Sequence, residues 1–229
     1  MTEQPFPASS LVDKVYHRVK KDLFDFQLLP GDRFTETEVA NRVQASRTPV
    51  REALMRLEHE GYLQMRSRVG WQVKPFDFRH FQELYDLRTV LETASLRKLA
   101  ALPEKPAVRA LADFWAVPVD RRLRDGQELA AADEEFHHTF VVESGNGEFA
   151  RLHQEVTERI RIVRRLDFTN PDRATATYQE HAAILAGVLE GRVDDACSRL
   201  EAHIASSRAA VETITNARLE AARNLRYQG

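Results

Sequence analysis

The run from Gln44 to Gly61 constrains this chain more than any other stretch, because nearly every position in it suits one short helix with a charged end. Ser46 or Thr48 is placed to cap its start, and Pro49 fits a first helical turn, where a missing N–H costs nothing. Val50, Ala53, Leu54 and Leu57 then recur at i, i+3, i+4 and i+7, the stripe of a helix lying on a small core. Gly61 ends it. Arg47 and Arg51 share a flank about a quarter turn from that stripe and point outward beside the positive helix end. Two guanidiniums so placed suit phosphates and guanine edges.

The flanking segments complete a motif. Upstream, Thr35 caps a short helix with Glu38 at the capping-box position and Val39, Ala40 and Val43 turned inward. A linker of Gln44 and Ala45 then makes a helix-turn-helix. Downstream, Tyr62 to Arg66 and Trp71 to Lys74 alternate, and Ser67-Arg68-Val69-Gly70 between them reads as a hairpin turn, with Arg66 and Arg68 near its tip. A helix spanning Ser9 to Phe26 precedes the motif, with Leu11, Val12, Val15, Val19, Leu23 and Phe26 inward; residues 1–8 read as a disordered tail.

These residues resemble a known family. Leu29-Pro30-Gly31-Asp32, then Ser46-Arg47-Thr48-Pro49-Val50-Arg51-Glu52-Ala53-Leu54, then Arg68-Val69-Gly70-Trp71, occur in the order seen in the winged helix-turn-helix of GntR-type transcription regulators. The resemblance covers about residues 10–75. It implies that Arg47, Thr48 and Arg51 contact double-stranded operator DNA and that Gly70 of the wing approaches the minor groove. The chain departs from the pattern at Thr37, where many members carry an arginine.

Charge supports that division of labour. Residues 1–74 hold 12 Lys and Arg against 10 Asp and Glu, and residues 75–229 hold 21 against 25. Attraction for nucleic acid therefore belongs to the N-terminal part. Within residues 42–74 the balance is 7 against 3, a modest concentration that predicts a homodimer holding a two-fold operator. The lone Cys197 excludes an internal disulfide and reads as a core residue. With neither a signal-peptide pattern nor a long apolar run, the expectation is a cytoplasmic protein without a membrane partner.

Lys74-Pro75-Phe76-Asp77 is the one sharp break, so the chain is expected to divide into a winged helix-turn-helix domain over 9–75 and an effector-binding and dimerisation domain over 76–229. Everything past the break reads as helix: Phe78 to Leu102, Ala107 to Ala116, Gln127 to Ser144, Glu148 to Leu166, Arg173 to Leu189, and Val193 to Leu225 with a break near Asn216. The fold class is mainly α, a winged helix-turn-helix followed by an all-α bundle of six or seven helices.

The inner stripes of that bundle hold polar groups. Asp133 and His137 stand side by side at i, i+4 with Ala130, Phe140 and Val141; His181 shares a stripe with Tyr178, Leu185 and Val188; His203 shares one with Ala196, Leu200 and Ile204. Such a set reads either as a hydrogen-bonded core network or as ligands for a divalent transition metal, Zn, Ni, Mn or Fe, with zinc foremost. His153 beside the next helix's stripe is a reserve ligand, whereas His17, His59, His80 and His138 fall on polar or flanking positions.

Residues 80–210 resemble the FCD ligand-binding domain that follows this winged helix in one branch of the GntR family. The resemblance rests on Glu83 to Glu92, on Asp133-Glu134-Glu135-Phe136-His137 followed by Ser144-Gly145-Asn146, on Glu180-His181, and on Ala202-His203. It implies that Asp133, His137, His181 and His203 bind a metal that holds a small carboxylate effector. Arg88, among inward Leu84, Leu87 and Leu91, reads either as a clamp on that carboxylate or as a salt-bridge partner of Glu92. Tyr85 is a further pocket candidate, with Phe140, Arg161 and Tyr178 as additional walls. The reading is of a DNA-binding regulator, a repressor and not an enzyme, controlled by a small organic acid. Its rivals are a metal-responsive regulator without an organic effector and a metal-dependent hydrolase.

Overall fold

The computed structural model of the chain describes residues 10–24, 27–67, 69–75, 77–168 and 171–227. The expected tail 1–8, Ser9, Phe26, Arg68, Phe76 and Asn170 lie outside the described residues. Two compact units emerge, Asp77–Ala217 and the remainder of the chain.

In the N-terminal part, α1 (Leu11–Phe24) packs on α3 (Arg47–His59), and α2 (Glu36–Val43) packs beside α3. Val15, Val19 and Leu23 of α1 meet the stripe read from α3, whose Val50, Ala53, Leu54 and Leu57 are all buried. Leu11, expected inward, is instead 51% exposed, because it lies at the end of α1, one turn short of the packed surface. Thr35 caps α2 in a reciprocal box: its hydroxyl accepts from the Glu38 N–H while the Glu38 side chain accepts from the Thr35 N–H. Ser46 occupies the cap position of α3, but its side chain makes no cap hydrogen bond.

The wing has one strand more than its alternation suggested. Leu63–Arg66 (β2) and Gly70–Val73 (β3) pair antiparallel, with Arg66 opposite Gly70 and Leu63 opposite Val73. Arg33–Phe34 (β1) adds to the far side of β3, giving the order β1-β3-β2. A two-residue strand carries no readable period, so only pairing reveals it.

The second unit contains α4 (Phe78–Ala100), α5 (Pro106–Trp115), α6 (Gly126–Glu143), α7 (Gly147–Asp167), α8 (Pro171–Leu189) and the start of α9 (Val193–Tyr227), with a 3-10 turn at Val119–Arg121. These ends lie within two residues of the expected ones. Asp77 caps α4 through the His80 N–H, and Asp125 caps α6 through the N–H groups of Gln127 and Glu128. The expected break near Asn216 is absent. No Gly or Pro interrupts 193–227, and one Asn costs an isolated turn too little to end a helix. On α4, Leu87 is 41% exposed although its spacing placed it inside; the buried face holds Leu84, Arg88, Leu91, Glu92 and Ser95 instead. The rotation follows from the ionic groups that this face must match.

Gly70 at the foot of β3 has φ +101°, and a Cβ there would stand 2.7 Å from the Phe34 carbonyl oxygen. Both the left-handed backbone and the β1 contact exclude a side chain. Gly70→Ala is expected to destabilise the N-terminal unit by about 1–3 kcal/mol, read as a lower urea midpoint of that unit against native protein.

Candidate metal centre and nucleic-acid interface

In the second unit α6, α8 and α9 aim four donors at one point. His137 Nε2 and His181 Nε2 lie 3.2 and 3.3 Å from His203 Nε2, and Asp133 Oδ1 lies 3.6 Å from His137 Nε2 and 3.3 Å from His181 Nε2. All four donor atoms fall within 4.8 Å of one another, and all four residues are buried. A tetrahedral ion bound at about 2.1 Å needs ligand atoms about 3.4 Å apart, so the spacing fits a small divalent cation.

The outer partners assign the tautomers. His137 Nδ1 lies 2.6 Å from Glu92 Oε2, and His203 Nδ1 lies 2.6 Å from Glu180 Oε2. A carboxylate accepts, so each ring is assigned its proton on Nδ1 and presents a bare Nε2 lone pair. The two Nε2 atoms so assigned stand 3.2 Å apart, and Arg173 Nη2 lies 3.3 Å from His203 Nδ1 beside the shorter Glu180 contact. His181 is held by packing: the Phe136 ring stacks on it at 3.5 Å with 4° between planes, and Trp115 meets it edge-on at 4.2 Å.

Behind this set stands a second, wholly buried carboxylate. Glu92 accepts from Arg88 Nε at 2.5 Å and takes His137 Nδ1 and His153 Nε2 at 2.6 and 3.0 Å. Burial works to raise its pKa, but Arg88 and the two histidines outweigh it and hold the carboxyl well below the usual range. Asp133 behaves alike: burial opposes ionisation, and the charge of Arg164, bonded to Oδ2, is the chief influence that overrides it. Oδ1 is thereby left to the histidines.

Arg88 thus makes the Glu92 salt bridge, but through Nε alone. Its Nη1 and Nη2 are buried and find no hydrogen-bond partner among the described residues. Tyr85 is 1% exposed beside it, with the guanidinium carbon 5.6 Å from the ring centroid. His153 is buried on Glu92, not among the four donors; His17, His59 and His80 are exposed and His138 is half-buried. A cavity of about 440 Å³ between α6 and α7 is walled by Gln127, Asp133, His138, Arg161 and Arg164; Arg161 is clamped there to Glu134 by two bonds of 2.9 and 2.6 Å.

Sequence reading missed Glu92, Arg164, Glu180 and Phe136 as part of this centre. Glu92 carried one signal, its place four residues after Arg88. Glu180 and Phe136 precede the histidines next to them and fall off the stripe that nominated those histidines, and no period marks them.

In the N-terminal unit, Arg47, Arg51, Arg66 and Gly70 line one open cleft of about 440 Å³ between the start of α3 and the wing, together with Glu36 and Thr37. The Arg47 and Arg51 side chains are 70% and 62% exposed. Arg66 Nε donates to Gln72 Oε1 at 3.1 Å. Thr48 is exposed on α3 but does not line the cleft, and Arg68 is the residue of the tip that is not described.

Burial pushes the His203 imidazole down to about 4 against the pull of Glu180, and pushes His153 and His181 down as well. Each ring ionises near 6.5 when unfolded. The unfolded chain therefore gains protons first as pH falls, so stability is greatest above about 6.5 and declines toward about 4. Chelator-treated protein is expected to lose urea resistance steadily over that window; a midpoint that holds or rises there would contradict the burial of neutral rings.

Residues 11–73 match the bacterial regulatory proteins of the gntR family, and residues 83–206, more than half of the chain, match the FCD domain. The Nta operon transcriptional regulator of Aminobacter aminovorans is 29% identical over 179 residues, covering 78% of this chain and 84% of its own. The HTH-type transcriptional regulator YdhC of Bacillus subtilis is 26% identical over 191 residues, covering 82% and 85%. Among solved structures, the Listeria monocytogenes protein Lar superposes with a TM-score of 0.68 at 17% identity over 92% of this chain and 99% of its own. A GntR regulator from a Rhodococcus strain does so with 0.64 at 20% identity over 90% and 99%; both show the shared fold. No helix among the described residues is long and apolar enough to cross a membrane. The chain belongs to the GntR family of DNA-binding transcription regulators, with a winged helix-turn-helix followed by an FCD domain.

Proposed function

We propose that this regulator is a homodimeric, metal-dependent repressor whose operator affinity is set by a small organic acid held in its FCD domain. The observation that carries the reading is the convergence of four buried donor atoms within 4.8 Å, with His137 and His203 each backed at Nδ1 by a carboxylate 2.6 Å away. A cation among them gives these atoms a common partner, and the lowered pKa values of His181, His203 and Asp133 favour the deprotonated donor states it needs. Asp133 Oδ1 and the Nε2 atoms of His137, His181 and His203 would hold a divalent transition metal, zinc foremost, which supplies Lewis-acid attraction for a carboxylate. The two Nη groups of Arg88, buried without a partner, offer the matching two-pronged clamp, with Tyr85 as the adjoining wall.

The winged module, taken as residues 9–75, supplies the DNA contacts: Arg47, Thr48 and Arg51 from α3, and Arg66, Arg68 and Gly70 from the wing. The modest charge of one wing supports two copies on a two-fold operator. The acid alters operator affinity by the difference in its binding to the two states of residues 76–229. The organic-acid reading is favoured over a response to metal alone by Arg88, whose unsatisfied groups face no role in the latter.

The test is a thermal-shift screen of small carboxylates with and without prior chelation. A stabilising acid raises the melting point by mass action, and that shift is expected to vanish after chelation and in Arg88→Ala. His181→Ala is expected to lose bound metal by elemental analysis while the winged module stays folded. Arg51→Ala is expected to weaken a duplex selected from a random pool by about 10- to 100-fold, the equivalent of about 1–3 kcal/mol, with metal content unchanged. An acid that stabilises chelated and Arg88→Ala protein equally would sink the metal-anchored site.

A further inference from the structure

Two recognition arginines share one carboxylate. Arg47 Nη2 lies 3.0 Å from Glu36 Oε2, and Arg51 Nε lies 3.4 Å from Glu36 Oε1, so each oxygen holds a different guanidinium. The Glu36 side chain is only 13% exposed at the base of the cleft, where it begins α2 beside the capping residue Thr35. A carboxylate there also sits at the positive end of a helix dipole, a favourable place for a negative side chain. Thr37 beside it adds no charge, so one carboxylate opposes the two arginines of this part of the cleft.

That arrangement has two effects of opposite sign. The two contacts hold both guanidinium groups at fixed places on the cleft wall while leaving their side chains 70% and 62% exposed, which limits the freedom they lose on reading a guanine edge. The same negative charge lies beside the two cations that a phosphate backbone attracts, and so weakens binding that ignores sequence. We infer that Glu36 is a specificity-determining residue: it orders Arg47 and Arg51 for base edges and suppresses their attraction to phosphates. The inference rests on the assignment of these two arginines to the DNA.

The experiment compares the native full-length chain, Glu36→Gln, Glu36→Asp and Arg51→Ala on two probes, a random-sequence duplex and a duplex selected with native protein from a random pool, over a range of KCl. For each winged module engaged, Glu36→Gln is expected to bind the random duplex about eightfold more tightly near 0.1 M salt, with a log K against log salt slope steeper by about 0.9. The ratio of selected to random affinity falls by about the same factor or more. Glu36→Asp, which keeps the charge, retains the native slope. An unchanged slope and ratio in Glu36→Gln overturn the inference, as does parallel weakening on both duplexes, which marks Glu36 as a support for α2 only. A Glu36→Asp slope equal to that of Glu36→Gln also overturns it, since charge is then not the cause. If Arg51→Ala binds both duplexes like the native chain, the DNA assignment itself is wrong; if Arg51→Ala is weakened but Glu36→Gln is silent, only the role of Glu36 fails.

Discussion

Sealing the Glu92 carboxylate away from water is the condition around which the helical unit is arranged. An isolated buried carboxylate costs several kcal/mol even after relaxation, roughly as much as a small domain has to spare. Glu92 survives because Arg88, His137 and His153, from three helices, converge on its two oxygens. The bonds fix the orientation of α4 about its axis, which is why Arg88 and Glu92 lie inside while Leu87 lies partly in solvent. They also set the His137 tautomer, and with it the direction in which Nε2 offers its lone pair. The four-donor cluster thus depends on a residue that is not one of its donors.

A parallel logic runs through Asp133 and His203. Arg164 takes one oxygen of Asp133 and leaves the other for the histidines. Glu180 takes the Nδ1 of His203, and Arg173 braces Glu180 at 2.8 Å. Asp133, His137 and His203 are each oriented by a charged partner on the far side, whereas His181 is oriented by the packing of Phe136 and Trp115. The result is a set of bare donor atoms at spacings a small cation fits, inside a shell that keeps water from competing.

The two units solve their electrostatics in opposite ways. In the bundle, charges are buried and matched so that a polar cluster survives in an apolar interior. On the winged unit, Arg47 and Arg51 stay largely exposed and are only partly neutralised by Glu36, which leaves them available to a polyanion. Burial demands an opposite charge close by, whereas a surface meant for DNA keeps charge in excess.

From its residues alone the chain determined α1 to α9 to within a few positions, the buried stripe of α3, the capping box at Thr35 and Glu38, and the inward placing of Asp133, His137, His181 and His203. These are matters of local period and capping chemistry, which neighbouring residues carry in themselves. Period also grouped Asp133, His137, His181 and His203 on inward stripes, and the resemblance to GntR and FCD sequences added what period cannot, the choice of metal ligands over a core network. Tertiary structure alone decided the third strand at Arg33–Phe34, the burial of Glu92, Arg164 and His153, and the Nε-only engagement of Arg88. It alone also brought Glu36 between the two arginines of α3. A pairing across dozens of residues leaves no mark in spacing, because the partner is set by how helices rotate to satisfy buried charge and not by the sequence around either member.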